Sequence, residues 1–487
     1  PATAFVNDIK ADLHDANTVY VAMDNHKYGD YTPYLMKSTD KGRTWQSIRG
    51  NIPDRTLVWR VVQDHVKPEL MFAATEWGIY FTINRGGAWT KLEGGMPTIS
   101  FRDLAIQKRE NDLVGASFGR GFFVLDDYSM LREVSQEQLQ QEATLFGLRK
   151  AWWYVPRSAI DFDDPKGSQG DSHFVAPNPP FGAVFTYYLR DGLKSKSAMR
   201  KESEKPLRKQ NQNIPFPGWD KLEEETVQAE PIIWLTVKNA SGEVVRRIKG
   251  PTEKGFHRIN WDLKYPTPDA ITFDQRPNEE GEQPAGLMAA PGTYTVTLSK
   301  QVDGVVTPLS EPRTFVVEQM RKGALPGASP QEVATFWRRY EQAVKNTSAV
   351  QVAMGNAMKK MEAMQKALTQ ATANPGTLDA QLHKLRQELF ELDQQLNGHH
   401  AKNQIGEKTK TTIGSRLFAV NRGVSLSTYG PTDTHKQSLA IVESELKEIQ
   451  TKLKAKQTEL SALGKSLLAA GARSEEHTSE LQSRQYL

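Results

Sequence analysis

The stretch Ser38-Thr39-Asp40-Lys41-Gly42-Arg43-Thr44-Trp45 follows the pattern S-x-D-x-G-x-x-W. In a tight hairpin each fixed position has a physical task. Asp40 accepts hydrogen bonds from the turn's own N–H groups, Gly42 takes a positive φ, and Trp45 packs back on the sheet. About 44 residues later, Thr82-Ile83-Asn84-Arg85-Gly86-Gly87-Ala88-Trp89 is a worn copy that keeps Gly86 and Trp89 and replaces the Asp by Asn84.

Working outward, the strands around the two hairpins also repeat. Val19–Ala22, Leu70–Ala73 and Leu113–Ala116 are short apolar runs, each followed by a second: Tyr34–Met36, Ile79–Phe81 and Phe122–Val124. The period, roughly 43 to 51 residues, is the length of a four-stranded propeller blade. Residues 1–134 therefore read as the last blades of a β-propeller. Three blades do not close a ring, so further blades are expected upstream of Pro1, in a chain truncated at its N-terminus.

Residues 145–320 read as an immunoglobulin-like β-sandwich. Its strands include Val184–Leu189, Ile232–Val237, Val244–Ile248, Gly255–Asp262, Gly292–Leu298 and Arg313–Val317, punctuated by Pro and Gly. A charged segment at about 190–230 is either a basic binding patch or, the reading its mixed charge favours, a solvated insertion. Residues 328–472 are helical. Ser329-Pro330-Gln331-Glu332 is a capping box, Asn374-Pro375-Gly376 a break, and Leu378 to Leu396 mark a second helix ending near Gly398. Thr432 caps a last helix whose apolar residues follow a/d spacing with one polar gap at Lys456. Either a dimerising coiled coil or an intramolecular bundle fits, and the neighbouring apolar helices favour the bundle. Residues 473–487, beginning Arg473-Ser474-Glu475-Glu476, look like translated sequencing adapter and are set aside.

Composition narrows the function classes. At 487 residues several domains are expected, and 62 basic against 58 acidic residues leave a net charge of +4, too mild to imply nucleic acid. No apolar run reaches membrane-spanning length. The absence of cysteine excludes disulfides, thiol nucleophiles and cysteine-bound metal. His383 and His399-His400 lack partners at ligand spacing, and Gly119-x-Gly121 lacks the third glycine of a phosphate loop. No cofactor and no metal are expected.

The parts in this order resemble the C-terminal portion of large bacterial BNR-repeat (Asp-box) proteins, often labelled glycosyl hydrolase or sortilin-like. Beyond the hairpins, the resemblance rests on Gly119–Asp127, where Phe118 stands in place of a common His, and on Asn178–Ala183, Ala290–Tyr294 and Thr428–Thr432. It implies upstream Asp-box propellers and an extracytoplasmic location, periplasmic, surface or secreted. It brings no reaction with it.

Glycoside hydrolysis on such a propeller needs two carboxyl groups flanking the bond, about 5 to 9.5 Å apart. The candidates are Asp24, Glu76, Asp103, Asp126 and Asp127, with Glu76 beside Trp77 as an acid on an aromatic sugar platform. Asp126 and Asp127 also suit turn hydrogen bonds at the propeller exit. Arg60, Arg102 and Arg120 would form a sialidase-like triad only by converging. The residues favour a non-catalytic module for a glycan or protein ligand. A glycoside hydrolase completed by upstream blades, and surface assembly through the C-terminal helices, are the alternatives. Ser38, Asp40, Gly42, Trp45, Asn84, Gly86 and Trp89 are structural in every version.

Overall fold

The computed structural model describes residues 2–156, 170, 172–268 and 285–472; the adapter-like tail lies outside them. Three antiparallel meanders follow one another. The first runs β1 (Phe5–Ala11), β2 (Val19–Asn25), β3 (Asp30–Ser38), β4 (Gln46–Ser47), and the second β5 (Val58–Gln63), β6 (Met71–Thr75), β7 (Gly78–Thr82), β8 (Thr90–Lys91). The third has three strands, β9 (Phe101–Gln107), β10 (Asp112–Ser117) and β11 (Phe122–Leu125).

The apolar runs are continuous because the middle strands are covered on both faces. In β6, Met71 and Ala73 join a core with Tyr20, Ala22 and Leu35 of the first sheet. Phe72 and Ala74 join a different core with Phe101, Leu104 and Leu113 of the third. The period of two thus divides one strand between two cores. At Gly115 a Cβ would lie 2.9 Å from Ile79 and from Phe101, so only glycine lets these sheets approach.

Two further antiparallel sheets share an aromatic interior. Ala183–Leu189 pairs with Ala143–Leu145 and Gly255–Trp261. Gly292–Val302 pairs with Ile232–Asn239, Val305–Pro308 and Arg313–Gln319, and Val244–Gly250 adds to Ile232–Asn239. Phe185 of one sheet meets Phe315 of the other edge to face at 5.5 Å, and Trp261 meets Tyr294 at 5.1 Å. The charged insertion folds as two helices, Lys196–Lys209 and Trp219–Val227. Charge dominates both faces, so apolar periodicity does not mark these helices; the ion pairs Lys196–Glu224 and Arg200–Glu225 between them replace the missing apolar stripe.

All these sheets belong to one compact unit. A second unit holds the ribbon Lys264–Pro266/Ala285–Met288 and the helices Pro330–Leu368, Leu378–Asn397, His400–Gln404, Ile413–Ser425 and Asp433–Ala469. The Ser329/Glu332 capping box closes reciprocally, with Glu332 Oε2 accepting from the Ser329 N–H at 2.7 Å. Trp337, Tyr340, Met361, Leu389, Leu446 and Leu453 lie in one core shared by the long helices. Lys456 fills the polar gap by donating to Glu388 (2.6 Å) and Glu459 (3.0 Å). Among the described residues, no helix is long and apolar enough to cross a membrane.

Candidate functional site

The two box hairpins are built alike. Asp40 Oδ1 accepts from the Arg43 and Thr44 N–H groups (2.9 and 2.8 Å) and from Ser38 Oγ (2.8 Å); Oδ2 accepts from Thr44 Oγ1 (2.6 Å). The Thr44 hydroxyl and N–H bonds, helped by Ser38, hold the Asp40 carboxyl down at about 2. An acid so engaged is a turn brace, not a proton shuttle. In the copy, Asn84 Oδ1 accepts from Thr82 Oγ1 (2.8 Å) and the Ala88 N–H (2.9 Å). Lys41 and Gly42 take φ of 62° and 87°, Arg85 and Gly86 58° and 90°. The tryptophans differ. Trp89 is buried and donates to the Ile48 carbonyl (2.9 Å), whereas Trp45 is 43% exposed and donates only to Gly42 of its own turn (3.1 Å). Trp45 is thus half-exposed, with its indole N–H bonded within its own turn.

A shared irregularity marks the first strand of each meander. The ladder skips one residue at Asn7 in β1, at Trp59 in β5 and at Arg102 in β9. Such bulges re-aim a side chain. Directly after them come Asp8, Arg60 and Asp103, and Arg60 reaches both acids, at 3.3 Å to Asp8 and 3.0 Å to Asp103. The three first strands are thereby joined by alternating charge.

Trp59 and Arg102 turn instead to Glu76. Glu76 and Trp77 are the two central residues of the β6–β7 hairpin, since Thr75 pairs with Gly78. Glu76 Oε2 accepts from Trp59 Nε1 (3.0 Å) and Ser100 Oγ (3.0 Å) and lies 3.8 Å from the Arg102 guanidinium. Arg102 stacks 3.6 Å above the Trp59 ring and 5.2 Å from that of Phe118. These groups open into a cleft of about 540 Å³ lined by His26, Tyr31, Arg55, Leu57, Trp59, Glu76, Trp77 and Arg102. His26 is held by Asp24 through Nδ1. Trp77 and Tyr31 leave 47% and 42% of their surface to solvent, and Trp77 Nε1 is anchored on the Arg55 carbonyl (3.2 Å). Glu76 is the one carboxylate among the lining residues. The β6–β7 and β7–β8 turns close opposite ends of one strand, so the cleft sits at the far end of the sheet from the Asn84 box.

Of the other candidates, Asp24 is buried behind the cleft, bonded to His26, and the rest lie elsewhere in the contact pattern. Asp103 serves Arg60. Asp127, at φ 42°, accepts from Ser129 N (3.2 Å) and Oγ (2.6 Å), and Arg258 donates to the carbonyls of Asp126 (2.8 Å) and Asp127 (3.3 Å). Burial, then the charge of Asp112, raises the Asp126 carboxyl above its ordinary range. Arg60 and Arg102 serve different acids, and Arg120 is exposed in the Gly119–Gly121 turn. No group of three or more His, Cys, Asp or Glu able to hold a metal occurs among the described residues. Tyr31, Arg55, Trp59 and Ser100 were not singled out from sequence. Tyr31 lies on β3, Trp59 on β5, and Arg55 and Ser100 in the segments leading into β5 and β9, and the bulge that aims Trp59 leaves no mark in composition.

No protein-family model and no curated protein matches the sequence. Among solved structures, the chain is similar to an ancestral GH74 enzyme, at 13% identity over 66% of this chain and 39% of that one, with a TM-score of 0.21. The GH74 xyloglucanase from Xanthomonas campestris follows at 12%, 63%, 38% and 0.21, and the extracellular domain of BT4673 from B. thetaiotaomicron at 11%, 65%, 37% and 0.18. The chain thus spans about two fifths of these proteins' length.

Proposed function

We propose that residues 1–134 are consecutive Asp-box blades of a β-propeller in an extracytoplasmic protein, and that they bind a glycan, without hydrolysing it, in the Glu76 cleft. On this reading the immunoglobulin-like sandwich of 145–320 and the helical bundle of 328–472 complete the module. The observation that carries it is a cleft with two half-exposed aromatic rings, Tyr31 and Trp77, around a single carboxylate whose Oε2 already accepts two hydrogen bonds. Flat rings stack on sugar faces, and a fixed carboxylate accepts from sugar hydroxyls. Hydrolysis needs a second, separately tuned carboxyl group, which the lining lacks. The bulged first strands tied by Asp8, Arg60 and Asp103 support the blade reading, as spokes meeting near a common axis.

Affinity electrophoresis of the full chain against soluble neutral and acidic polysaccharides tests the proposal. Retardation by one class, reduced about 10-fold or more by Trp77→Ala, is expected. Release of reducing sugar that Glu76→Gln abolishes would instead establish the hydrolase reading.

A further inference from the structure

The helical hairpin between strands Ala183–Leu189 and Ile232–Asn239 carries two features with no use in the fold. On the side facing its partner helix, Lys196–Lys209 is neutralised: Arg200 pairs with Glu204 (2.7 Å) and Glu225 (2.7 Å), and Arg208 with Glu204 (3.0 Å). Lys201, Lys205 and Lys209 recur every fourth residue along an adjacent side. All three are exposed, and none makes an ion pair within 4.0 Å among the described residues. Beyond Lys209 the connecting turn presents Ile214 and Phe216, and the second helix opens with Trp219; Phe216 is 61% and Trp219 77% exposed, with their rings edge to face at 5.0 Å.

We propose that this hairpin docks the protein on an anionic membrane surface, with Phe216 and Trp219 entering the headgroup region and the lysine row lying over acidic lipid. Each feature alone suits another ligand. A neutral sugar uses rings without lysines, and an acidic polysaccharide uses lysines without an apolar tip. The combination of exposed cations held in no close ion pair with an amphipathic aromatic pair matches lipid, where the rings reach the acyl boundary and the charges remain among phosphates. The ion pairs between the helices hold the tip in place before contact. The turn lies outside the buried cores, so its substitution leaves folding intact.

Co-sedimentation of the full chain with vesicles of phosphatidylcholine and phosphatidylglycerol, against phosphatidylcholine alone, tests this at about 0.1 M salt. Partitioning to the acidic vesicles alone is expected. Lys201→Gln/Lys205→Gln/Lys209→Gln should lower it about 100-fold, at about 5-fold per lysine, and Phe216→Ser/Trp219→Ser about 10-fold or more, with unchanged circular dichroism and melting. Failure of the parent chain to partition, or partitioning that neither variant alters, overturns the proposal. So does retention on an acidic polysaccharide without vesicle binding.

Discussion

The hairpins Ser38–Trp45 and Thr82–Trp89 have the same backbone and opposite tryptophans. In both, an Asx oxygen gathers the turn's donors and a left-handed pair of residues reverses the chain. Yet Trp89 is 3% exposed and bonded to Ile48 and Asn51, while Trp45 is 43% exposed and bonds within its own turn. The motif writes the turn. What the tryptophan contributes to stability is decided by whether another sheet's loop receives it.

Several substitutions test that division. The largest difference should come from Trp89→Ala, costing about 3–5 kcal/mol as a buried aromatic, against less than about 1 kcal/mol for Trp45→Ala. Equal midpoints in denaturant would break the contrast. Gly86→Ala comes next: both box glycines pay about 1–2 kcal/mol for left-handed strain, but a Cβ at Gly86 also meets the Ile48 carbonyl at 2.8 Å, whereas at Gly42 only the Trp45 ring lies near, at 3.6 Å. Thermal melts should rank Gly86→Ala clearly below Gly42→Ala.

The acid side sharpens the comparison further. Asp40 folds with its carboxyl near 2, below the ordinary 3.8, so the folded state binds fewer protons in that interval. Its stabilisation is complete above about pH 4 and lost as pH falls through about 2. Asp40→Asn should flatten the pH dependence of stability between those limits, and an unchanged slope would contradict the hydrogen-bond account. The smallest effect is the converse: Asn84→Asp should install a slope of the same sign in the second hairpin without altering stability at pH 7 by more than about 0.5 kcal/mol.

Much of this was legible because it is local. The turn code, the strand runs and the Ser329 and Thr432 caps depend on residues within a few positions of one another, and each is found where the sequence placed it. The burial of Trp89 was not legible, because its partners lie about 40 residues earlier. The cleft was half legible. Glu76 and Trp77 are adjacent in the sequence and Arg102 is one of its recurring arginines, whereas Trp59 on β5 and Arg102 on β9 are turned toward Glu76 by bulges that no residue type announces, and Ser100 joins them from just before β9. The helices of 190–230 were hidden for a different reason: their cohesion is electrostatic, and apolar periodicity is blind to it.

The divided strand β6 has a kinetic consequence. Because Met71 and Ala73 lie in one core and Phe72 and Ala74 in another, its amides exchange with solvent only when both cores open together. The second meander is then the slowest-exchanging foldon of residues 2–134, and deuterium should enter β6 after both flanking sheets have taken it up.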